Sequence, residues 1–414
     1  MKIAIVGAGI SGISTALELA RDGHQVTVYE QMNAAAEDAS FAPGGWLSPV
    51  AAHSMAVPGG GMPLKQLKKG RGLLQAPGMI GSSTWRWMRQ WKKHEKLASK
   101  NNYALLQALH HLDQYSSSLR WQNCEDTEIA AERKTGNLVL LRTPQETEYW
   151  NALIAQLHSQ HVRCELLSAP QVQAMEPGLG QEISWLNAVH FPDGECINPR
   201  LWAHYLRLQA QDMGVLVRTG AQVQKIHTQP PGVEIAGQLR PADAVIICTG
   251  ANVQLLQSLQ LPLPLMPVWG YSVTAPVRDP LLAPRSAIMD WAQQATISRM
   301  GQRVRISAGM EMASTAGAAH HTPTLQRMYR LLNDWFPGGV HLSSPQVQVW
   351  RGARAYLPDG LPAVGATKHP GVWLNLAHGS HGASIAAGCA RALADMIGRQ
   401  PPAIDMQAFS PLRF

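Results

Sequence analysis

The sequence lacks long apolar runs and paired cysteines. No run approaches the roughly 18 apolar residues that a transmembrane helix needs, and the four apolar residues before the first glycines carry no cleavage signature of a secretory signal peptide. Cysteine occurs five times, without a CxxC pair, at Cys124, Cys164, Cys196, Cys248 and Cys389. We therefore expect reduced thiols in a cytoplasmic protein, and the CxxC disulfide-reductase mechanism is excluded.

Metal-binding and nucleophile patterns are also missing. Two HxxH pairs occur, at His158/His161 and His378/His381, but neither has a third ligand in a matching context. No Ser/His/Asp set or activated cysteine is visible. The sequence therefore predicts no metal site and no covalent hydrolase.

Acidic residues are fewer than basic ones. The 35 Lys and Arg residues exceed the 28 Asp and Glu residues, for a formal charge of +7. This excess favours an acidic partner such as lipid, nucleic acid or an anionic substrate, although simple solubility also explains it. The 414 residues favour two domains.

What the sequence does have begins with the stretch IVGAGISG. It lies between an apolar run that predicts a buried strand and a stretch of helix formers ending at Arg21. Gly7 permits the tight turn, Gly9 leaves room for a pyrophosphate, and Gly12 allows close helix packing. The helix N-terminus would attract the phosphates.

The residues after this helix complete the pattern. Gln25–Tyr29 (QVTVY) predicts a second strand, which ends at Glu30, 18 residues after Gly12. A carboxylate there accepts the hydroxyls of an adenosine ribose and repels a 2′-phosphate, so NADP is disfavoured. The alternative is a glycine turn that binds nothing. This motif predicts a dinucleotide without deciding between FAD and NAD.

A second signature lies about 200 residues further on, in ADAVIICTGAN. Val245–Cys248 predicts a buried strand that ends in Thr249 and Gly250, which is typical of FAD folds, where this segment returns beside the first strand. The alternative is an ordinary buried strand with a glycine turn. A plain NAD dehydrogenase would not need this segment.

A tryptophan-rich basic helix is predicted in STWRWMRQWKKHEK. Trp87 and Trp91 share one helical face, and Arg86, Arg89 and Lys93 fall on another. Such a helix can lie on a membrane surface. The favoured alternative is a helix that buries its tryptophans in the core.

Further motifs are PGGWLSPVAAHSMAVPGGGMPLK, MPVWGYSVTAP, RVRISAGMEM, WRGARAYLPDGLPAVG and VWLNLAHGSHG. With the first motif, they resemble the FAD-dependent D-amino-acid oxidase superfamily, and within it the small subunits of bacterial D-amino-acid dehydrogenases. The resemblance implies an α/β and α+β fold, with a discontinuous Rossmann-like FAD-binding domain and an interleaved mixed-sheet substrate domain. The expected segments are 1–84, 190–255 and 345–414 for FAD, and 85–189 and 256–344 for substrate.

The resemblance also implies residue roles. Arg354 would hold the substrate carboxylate, Tyr271 would add a contact, and the turn at Gly379–Gly382 would face the flavin pyrimidine. His378 is then favoured as a turn residue over a catalytic base, and Asp359, in Pro-Asp-Gly, as a turn residue too. The expected residues for non-covalent FAD are Gly7, Gly9, Ile10, Ser11, Gly12, Glu30, Gln31, Ser48, Thr249, Gly250, Gly379, Ser380, His381 and Gly382.

Three residues depart from the resemblance. Pro43 stands where relatives carry asparagine, Ala377 where they carry glycine, and Trp269 where they carry lysine. These departures affect the expected side-chain preference and leave the carboxylate arginine untouched.

The resemblance implies oxidative deamination of D-amino acids to 2-oxo acids and ammonia, with electrons passed to a quinone-type acceptor. The basic tryptophan-rich helix offers a docking surface for a peripheral position at the inner face of the cell membrane. Alternatives are an oxygen-using oxidase of N-methyl or cyclic amino acids, a tRNA-acting flavoprotein, or a non-catalytic FAD subunit of a membrane complex. No nucleic-acid-binding motif is visible, so no nucleic-acid partner is expected.

Overall fold

The computed structural model describes residues 1–47, 74–75, 82–100, 104–312 and 322–414. Ser48, one of the residues expected to bind FAD, lies outside these residues. Within the described part of the chain, no helix is both long enough and apolar enough to cross a membrane.

The strands and helices are as follows. The strands are β1 Lys2–Val6, β2 Gln25–Tyr29, β3 Trp46–Leu47, β4 Leu74–Gln75, β5 Lys134–Leu141, β6 Glu165–Ser168, β7 Asn187–Cys196, β8 Leu216–Arg218, β9 Lys225–Thr228, β10 Pro231–Ile235, β11 Gln238–Pro241, β12 Ala244–Ile247, β13 Met266–Pro276, β14 Ala287–Asp290, β15 Ala295–Met300, β16 Arg303–Met312, β17 Gln348–Tyr356, β18 Ala363–Ala366 and β19 Val372–Leu376. The helices are α1 Ile10–Arg21, α2 Ser82–Lys100, α3 Ala104–Arg120, α4 Thr127–Ala131, α5 Pro144–Ser159, α6 Ala169–Met175, α7 Pro199–Asp212, α8 Gln254–Ser258, α9 Thr322–Trp335 and α10 Gly382–Ile397.

A six-stranded sheet forms the predicted nucleotide-binding framework. Its order is β18-β19-β12-β1-β2-β8, and neighbouring strands are parallel except for the antiparallel pair β18 and β19. Ile3 pairs with Ala244, so the second signature does return beside the first strand. Parallel strands bring their carboxyl ends to one edge of a sheet, where open α/β sheets bind ligands.

A mixed ten-stranded sheet stands beside it. Its main path is β17-β13-β16-β15-β14-β5-β7-β3, with β4 paired to β16 and β6 paired to β7. One face packs on α9 through an apolar cluster that includes Val273, Ile297, Ile306 and Trp335. The expected combination of a Rossmann-like sheet with a separate mixed sheet is confirmed.

The predicted domain boundaries stay a prediction. The strand β17, within predicted segment 345–414, pairs with β13 in the ten-stranded sheet, and β7 spans the boundary at residue 190. The helix α3 packs on α10, where the Ser116 hydroxyl donates to the Ser384 carbonyl oxygen at 2.5 Å. Strands and helices from different predicted segments therefore pair or pack with one another.

Candidate functional site

A cavity of about 520 Å³ is lined from both sheets. On the side of the six-stranded sheet it is bordered by the turn after β1, the ends of β2 and β12, and the turn between β19 and α10. On the other side it is bordered by residues of β15, β16 and β17. Predicted site residues that line it are Gly7, Gly9, Ile10, Ser11, Glu30, Gln31, Thr249, Gly250, Arg354, Gly379, Ser380 and Gly382.

The glycine turn has the geometry that the first motif predicts. Gly7 has φ of +105°, which favours glycine. A Cβ at Gly12 would stand 2.0 Å from the Gly7 carbonyl oxygen, so only glycine lets α1 start this close to β1. The first intrahelical bond is donated by Ile13 to Gly9, so the amides of Ser11 and Gly12 precede it. These amides can bind phosphate.

Glu30 is fixed at the end of β2. Its carboxylate accepts the Ala8 amide at 2.7 Å and the Met32 amide at 2.9 Å. Each oxygen keeps acceptor capacity for a ribose hydroxyl, because a carboxylate has about four lone-pair positions. Nearby, burial raises the pKa of Asp38, and the charge of Glu30 adds to this effect. This end of the cavity therefore repels phosphate and suits a neutral ribose.

The second signature closes the cavity opposite Glu30. The Thr249 hydroxyl donates to the Asn252 carbonyl oxygen at 3.0 Å, and Gly250 has φ of +57°. The Cys248 carbonyl oxygen would lie 2.5 Å from a Cβ at Gly7. The two signatures are therefore in direct contact.

A buried polar network ties the first turn of α1 to the turn after β19. The Thr15 hydroxyl donates to the Ser11 carbonyl oxygen at 2.7 Å and accepts the Asn375 amide at 2.8 Å. The side-chain oxygen Oδ1 of Asn375 therefore faces His378 Nε2 at 2.8 Å. Nε2 carries the ring proton, and Nδ1 accepts a hydrogen bond from the Ser11 hydroxyl. Burial lowers the pKa of His378 to about 4, so the ring is neutral near pH 7.

The turn itself is tightly shaped. Ala377 has φ of +65° and Gly379 has φ of +55°, and a Cβ at Gly379 would lie 2.8 Å from the Tyr356 ring. His381 does not border the cavity and is 1% exposed. Its pKa is lowered to about 4 by burial and by the positive charge of Arg354. Both histidines of this HxxH pair are therefore neutral near pH 7.

The Arg354 side chain lies over Gly270 of the neighbouring strand β13, which has no side chain. A Cβ at Gly270 would stand 2.5 Å from the Arg354 guanidinium, so Gly270 makes the space that the side chain occupies. The guanidinium donates to the Ser380 hydroxyl at 3.1 Å, and Ser380 also bonds the Tyr356 hydroxyl at 2.5 Å. Among the described residues no carboxylate pairs with Arg354. Most of its donors are available to an anionic group in the cavity.

Tyr271 is placed differently from Arg354. It is 2% exposed and does not border the cavity, and its hydroxyl donates a short hydrogen bond to Glu311. Arg351 donates to the Tyr271 oxygen at 3.2 Å and stacks on Trp269, with its guanidinium carbon 4.0 Å from the ring centroid. The predicted substrate contact of Tyr271 stays a prediction, since the structure commits its proton to Glu311.

Residues that sequence analysis missed act through contacts between distant segments. The Ser40 hydroxyl accepts the Ile10 amide at 3.1 Å, and Asn375 and Tyr356 hold the turn after β19. No local motif marks them, because Ser40 and Tyr356 meet partners 30 and 24 residues away and Asn375 is fixed by Thr15, 360 residues away. The predicted residue Gly12 supports the cavity from behind without bordering it, and Ser48 lies outside the described residues.

The tryptophan-rich helix α2 buries Trp87 against Met266, Val268 and Tyr356, as the favoured interpretation predicts. Trp91 stacks on Trp87, with ring centroids 5.3 Å apart. Its outer face carries the exposed basic residues Arg86, Arg89, Lys92 and Lys93, together with Trp85, which is 56% exposed. In the described ranges no cluster of side chains is suited to hold a metal ion.

Comparison with known proteins also indicates an FAD-dependent oxidoreductase. The family model described as "FAD dependent oxidoreductase" (DAO) matches residues 2–396. A "D-amino acid dehydrogenase" of Xanthobacter autotrophicus is 31% identical over all of this chain and 99% of its own length. One of Cereibacter sphaeroides is 33% identical over 98% of this chain and 93% of its own. Glycine oxidase from Geobacillus kaustophilus has the same fold, at 20% identity and a TM-score of 0.71, over 100% of this chain and 98% of its own.

Proposed function

The chain belongs to the DAO family of FAD-dependent oxidoreductases, and from this premise we propose that it oxidises D-amino acids to 2-oxo acids and ammonia. FAD is its cofactor. The residues present fit this dinucleotide, since the glycine turn excludes side chains, the first amides of α1 precede its hydrogen-bonded turns, and Glu30 has acceptor capacity for a ribose. We propose that the binding is non-covalent.

Arg354 carries the substrate proposal. Its guanidinium borders the cavity, is held by Ser380 and pairs with no carboxylate of the described residues. A planar guanidinium binds a carboxylate through two parallel hydrogen bonds. An α-amino acid anchored in this way has its Cα at a fixed position relative to the Arg354 guanidinium, which orients the C–H bond that is broken.

The chemistry requires little from the protein beyond orientation. FAD, held by the glycine turn and Glu30, would supply the two-electron acceptor for the hydride that leaves Cα, and water would then hydrolyse the imino acid to the 2-oxo acid and ammonia. His378 and His381 are neutral near pH 7 and both ring nitrogens of His378 are bonded, so neither is placed as a strong base. A substrate amine that binds unprotonated needs none. Orientation alone can supply about 7–11 kcal/mol in favourable cases.

We further propose a quinone-type electron acceptor and a peripheral position at the inner face of the cell membrane. The support is the helix α2, whose outer face is basic and whose inner face packs on Tyr356, a neighbour of Ser380. Basic residues with an exposed tryptophan suit an anionic lipid surface. The outer face of α2 is thus connected to the residues around Arg354 through one layer of packed side chains.

A panel of D- and L-amino acids tests the substrate and the acceptor together. Turnover is measured with a dye acceptor, with and without oxygen, and sarcosine and proline serve as N-methyl and cyclic comparisons. We expect D-amino acids to be oxidised with the dye and oxygen alone to support little turnover. Preference for sarcosine or proline with oxygen would contradict the proposal and favour an oxidase.

A further inference from the structure

The face of the ten-stranded sheet opposite the apolar cluster is polar and buried. From Tyr271 to Pro276 the pairing of β13 with β16 is regular, as is that of β15 with β16, so alternate side chains point to opposite faces of the sheet. This second face carries hydroxyl side chains, two arginines and one methionine, at Ser272, Thr274, Thr296, Ser298, Met300, Arg303, Arg305 and Ser307. Among the described residues, the hydroxyls of Ser272 and Ser307 have no hydrogen-bond partner. Ser307 borders the cavity, so this polar face adjoins the cofactor site.

Arg305 is the buried arginine of this face. Its register partners are Thr274 on one side and Ser298 on the other, and it is only 4% exposed. The guanidinium donates to the Thr274 hydroxyl at 2.9 Å and to the Pro43 carbonyl oxygen at 3.0 Å. In the described part of the chain it forms no ion pair with a carboxylate.

A buried cation without a carboxylate partner is costly to keep. Burial and the charge of Arg303 lower the pKa of Arg305 to about 10, with a further lowering from Arg200 and an opposite effect from the more distant Glu132 carboxylate, so it remains charged near neutral pH. Two hydrogen bonds to neutral oxygens only partly compensate this cost. A negative charge that develops on a group bound nearby would therefore be stabilised by Arg305.

The contact with Pro43 leads directly to the cavity. Pro43, Gly44 and Gly45 all border it. Each of their carbonyl oxygens accepts one hydrogen bond from the ten-stranded sheet or the residue that follows β7. Pro43 accepts from the Arg305 guanidinium at 3.0 Å, Gly44 from the Ser298 hydroxyl at 2.9 Å, and Gly45 from the Ile197 amide at 2.9 Å.

The amide N–H groups of Gly44 and Gly45 have no partner among the residues that the structure describes. A Cβ at Gly44 would stand 2.5 Å from the Thr296 hydroxyl, and one at Gly45 would stand 1.9 Å from the Ile197 carbonyl oxygen, so the loop is pressed against the sheet. This loop therefore presents two unpartnered donors beside the cavity, with a positive charge directly behind it.

We propose that Arg305 is a positioning residue of the cofactor site, which fixes the loop Pro43–Gly45 and supplies the positive charge that stabilises the bound flavin when it becomes negatively charged on reduction. The inference rests on the proposed placement of FAD in this cavity and is independent of which amino acid is oxidised. Oriented donors and charges act strongly in such a site, because little water screens them.

The test measures the reduction potential of the bound FAD by equilibration with a reference dye. Arg305→Gln removes the charge and retains an amide donor, whereas Arg305→Lys retains the charge. Arg303→Gln is the matched control: it removes the same charge two residues away on β16, where the side chain is 43% exposed and solvent screens it.

We expect Arg305→Gln to make reduction at least tenfold less favourable, which is about 30 mV for a two-electron couple. Arg305→Lys and Arg303→Gln should stay much closer to the parent. A potential in Arg305→Gln equal to that of the parent would overturn the proposal. Should Arg305→Gln not fold with FAD, Arg305→Met is measured instead, and failure of both neutral variants to fold while Arg305→Lys folds would assign the charge to structure and also overturn it.

Failure of the proposed function gives a different pattern. A parent protein that holds FAD but oxidises no D-amino acid would refute the proposed substrate, while the potentials of the Arg305 variants would still decide this inference. A parent that oxidises D-amino acids, with potentials unaffected by Arg305→Gln, would refute only the inference.

Discussion

At the scale of single residues, the position of Arg354 depends on two nearby glycines that have no side chain. Gly270 and Gly352 are register partners on β13 and β17, and neither has a side chain. The Arg354 guanidinium lies over Gly270, and the Trp350 ring lies over Gly352, 2.0 Å from where a Cβ would stand. A cationic side chain is thereby held flat on the sheet beside the cavity.

Replacement of Arg354 tests its role in binding the substrate carboxylate. Arg354→Ala should retain the flavin spectrum and lose most D-amino-acid turnover, because removing one partner of a desolvated charge pair costs about 2–5 kcal/mol. This cost is a fall in kcat/KM on the order of 30- to 3000-fold. Arg354→Lys should also be impaired, since an ammonium cannot form two parallel bonds.

Amines without a carboxylate are the control for Arg354. Their low rates should be the same in the parent and in Arg354→Ala, since they have no group for the guanidinium to bind. An Arg354→Ala protein with full FAD content and the D-amino-acid turnover of the parent would show that the anchor lies elsewhere.

Ala377 is a residue under backbone strain. Its φ of +65° costs an L-residue about 1–2 kcal/mol, and its methyl group is buried. Ala377→Gly relieves this strain but removes a methyl worth about 0.8 kcal/mol. We expect the free energy of unfolding to stay within about 1 kcal/mol of the parent, because the relieved strain offsets the lost methyl and the added backbone freedom of glycine, about 0.5–1 kcal/mol.

The matched control for Ala377 is Ala363, which is buried in the same apolar cluster but lies in β18 without a positive φ. Ala363→Gly should lower the free energy of unfolding by about 1–2 kcal/mol, from the lost methyl and the added backbone freedom. Urea unfolding of both variants measures the difference. Equal destabilisation by the two substitutions would show that the strain at Ala377 is negligible.

At the scale of elements, the turn between β19 and α10 should respond to acid. Its histidines have pKa values lowered to about 4, below the unfolded value of 6.5, so the unfolded chain binds more protons between these pH values. The stability that the neutral rings contribute is complete above about pH 6.5 and is lost as the pH falls toward 4. The size is on the order of 3 kcal/mol for each histidine.

Asp113 acts in the opposite direction, because burial raises its pKa to about 6 and its protonation on acidification favours the folded state. We therefore expect His378→Gln to lose less stability than the parent between about pH 7 and about pH 5, and Asp113→Asn to lose more. Urea midpoints at the two pH values give the comparison. A His378→Gln variant with the same pH dependence as the parent would exclude a neutral buried ring.

The helix α2 gives a second prediction at this scale. Its outer face should bind vesicles of anionic phospholipid at low salt, since each basic residue near such a surface contributes about 1 kcal/mol. At about 1 M salt the Debye length shortens to about 3 Å and the protein should be released. Co-sedimentation of the holoprotein with the vesicles measures the bound fraction.

Charge reversal shows whether α2 is responsible. Lys92→Glu/Lys93→Glu should lower the affinity for the vesicles at least tenfold, because two attractive charges become repulsive. Lys225→Glu/Arg240→Glu, on exposed strands of the small sheet β11-β10-β9, is the control and should bind like the parent. A parent that stays unbound at low salt, or equal losses in both double variants, would contradict the proposal.

At the scale of the whole molecule, sequence analysis predicted what is local. The turn from Gly7 to Glu30 is one contiguous unit whose glycine positions and spacing follow from backbone sterics, and the strand ending at Thr249 is recognisable from its apolar run. Both could therefore be located without a structure. The mixed sheet was predicted only through a family resemblance, because its strands pair over long sequence separations.

What sequence analysis could not predict depends on register and on distant partners. Asn375 meets Thr15 across 360 residues, and no pattern in either segment encodes that meeting. The binding of Tyr271 to Glu311 and the isolation of Arg305 both follow from how β13 aligns with β16. A one-residue shift in that register would place every one of these side chains on the other face.

The central claim is that one cavity holds FAD beside an arginine that anchors the carboxylate of a D-amino acid. The most direct test mixes the yellow protein anaerobically with D-alanine, so that flavin reduction is observed in a single turnover without any acceptor. We predict rapid bleaching of the flavin absorbance by D-alanine, slow or no bleaching by L-alanine, and a strongly slowed reaction in Arg354→Ala. Equal bleaching by both enantiomers, or a flavin in the parent that no D-amino acid reduces while dithionite does, would contradict the account.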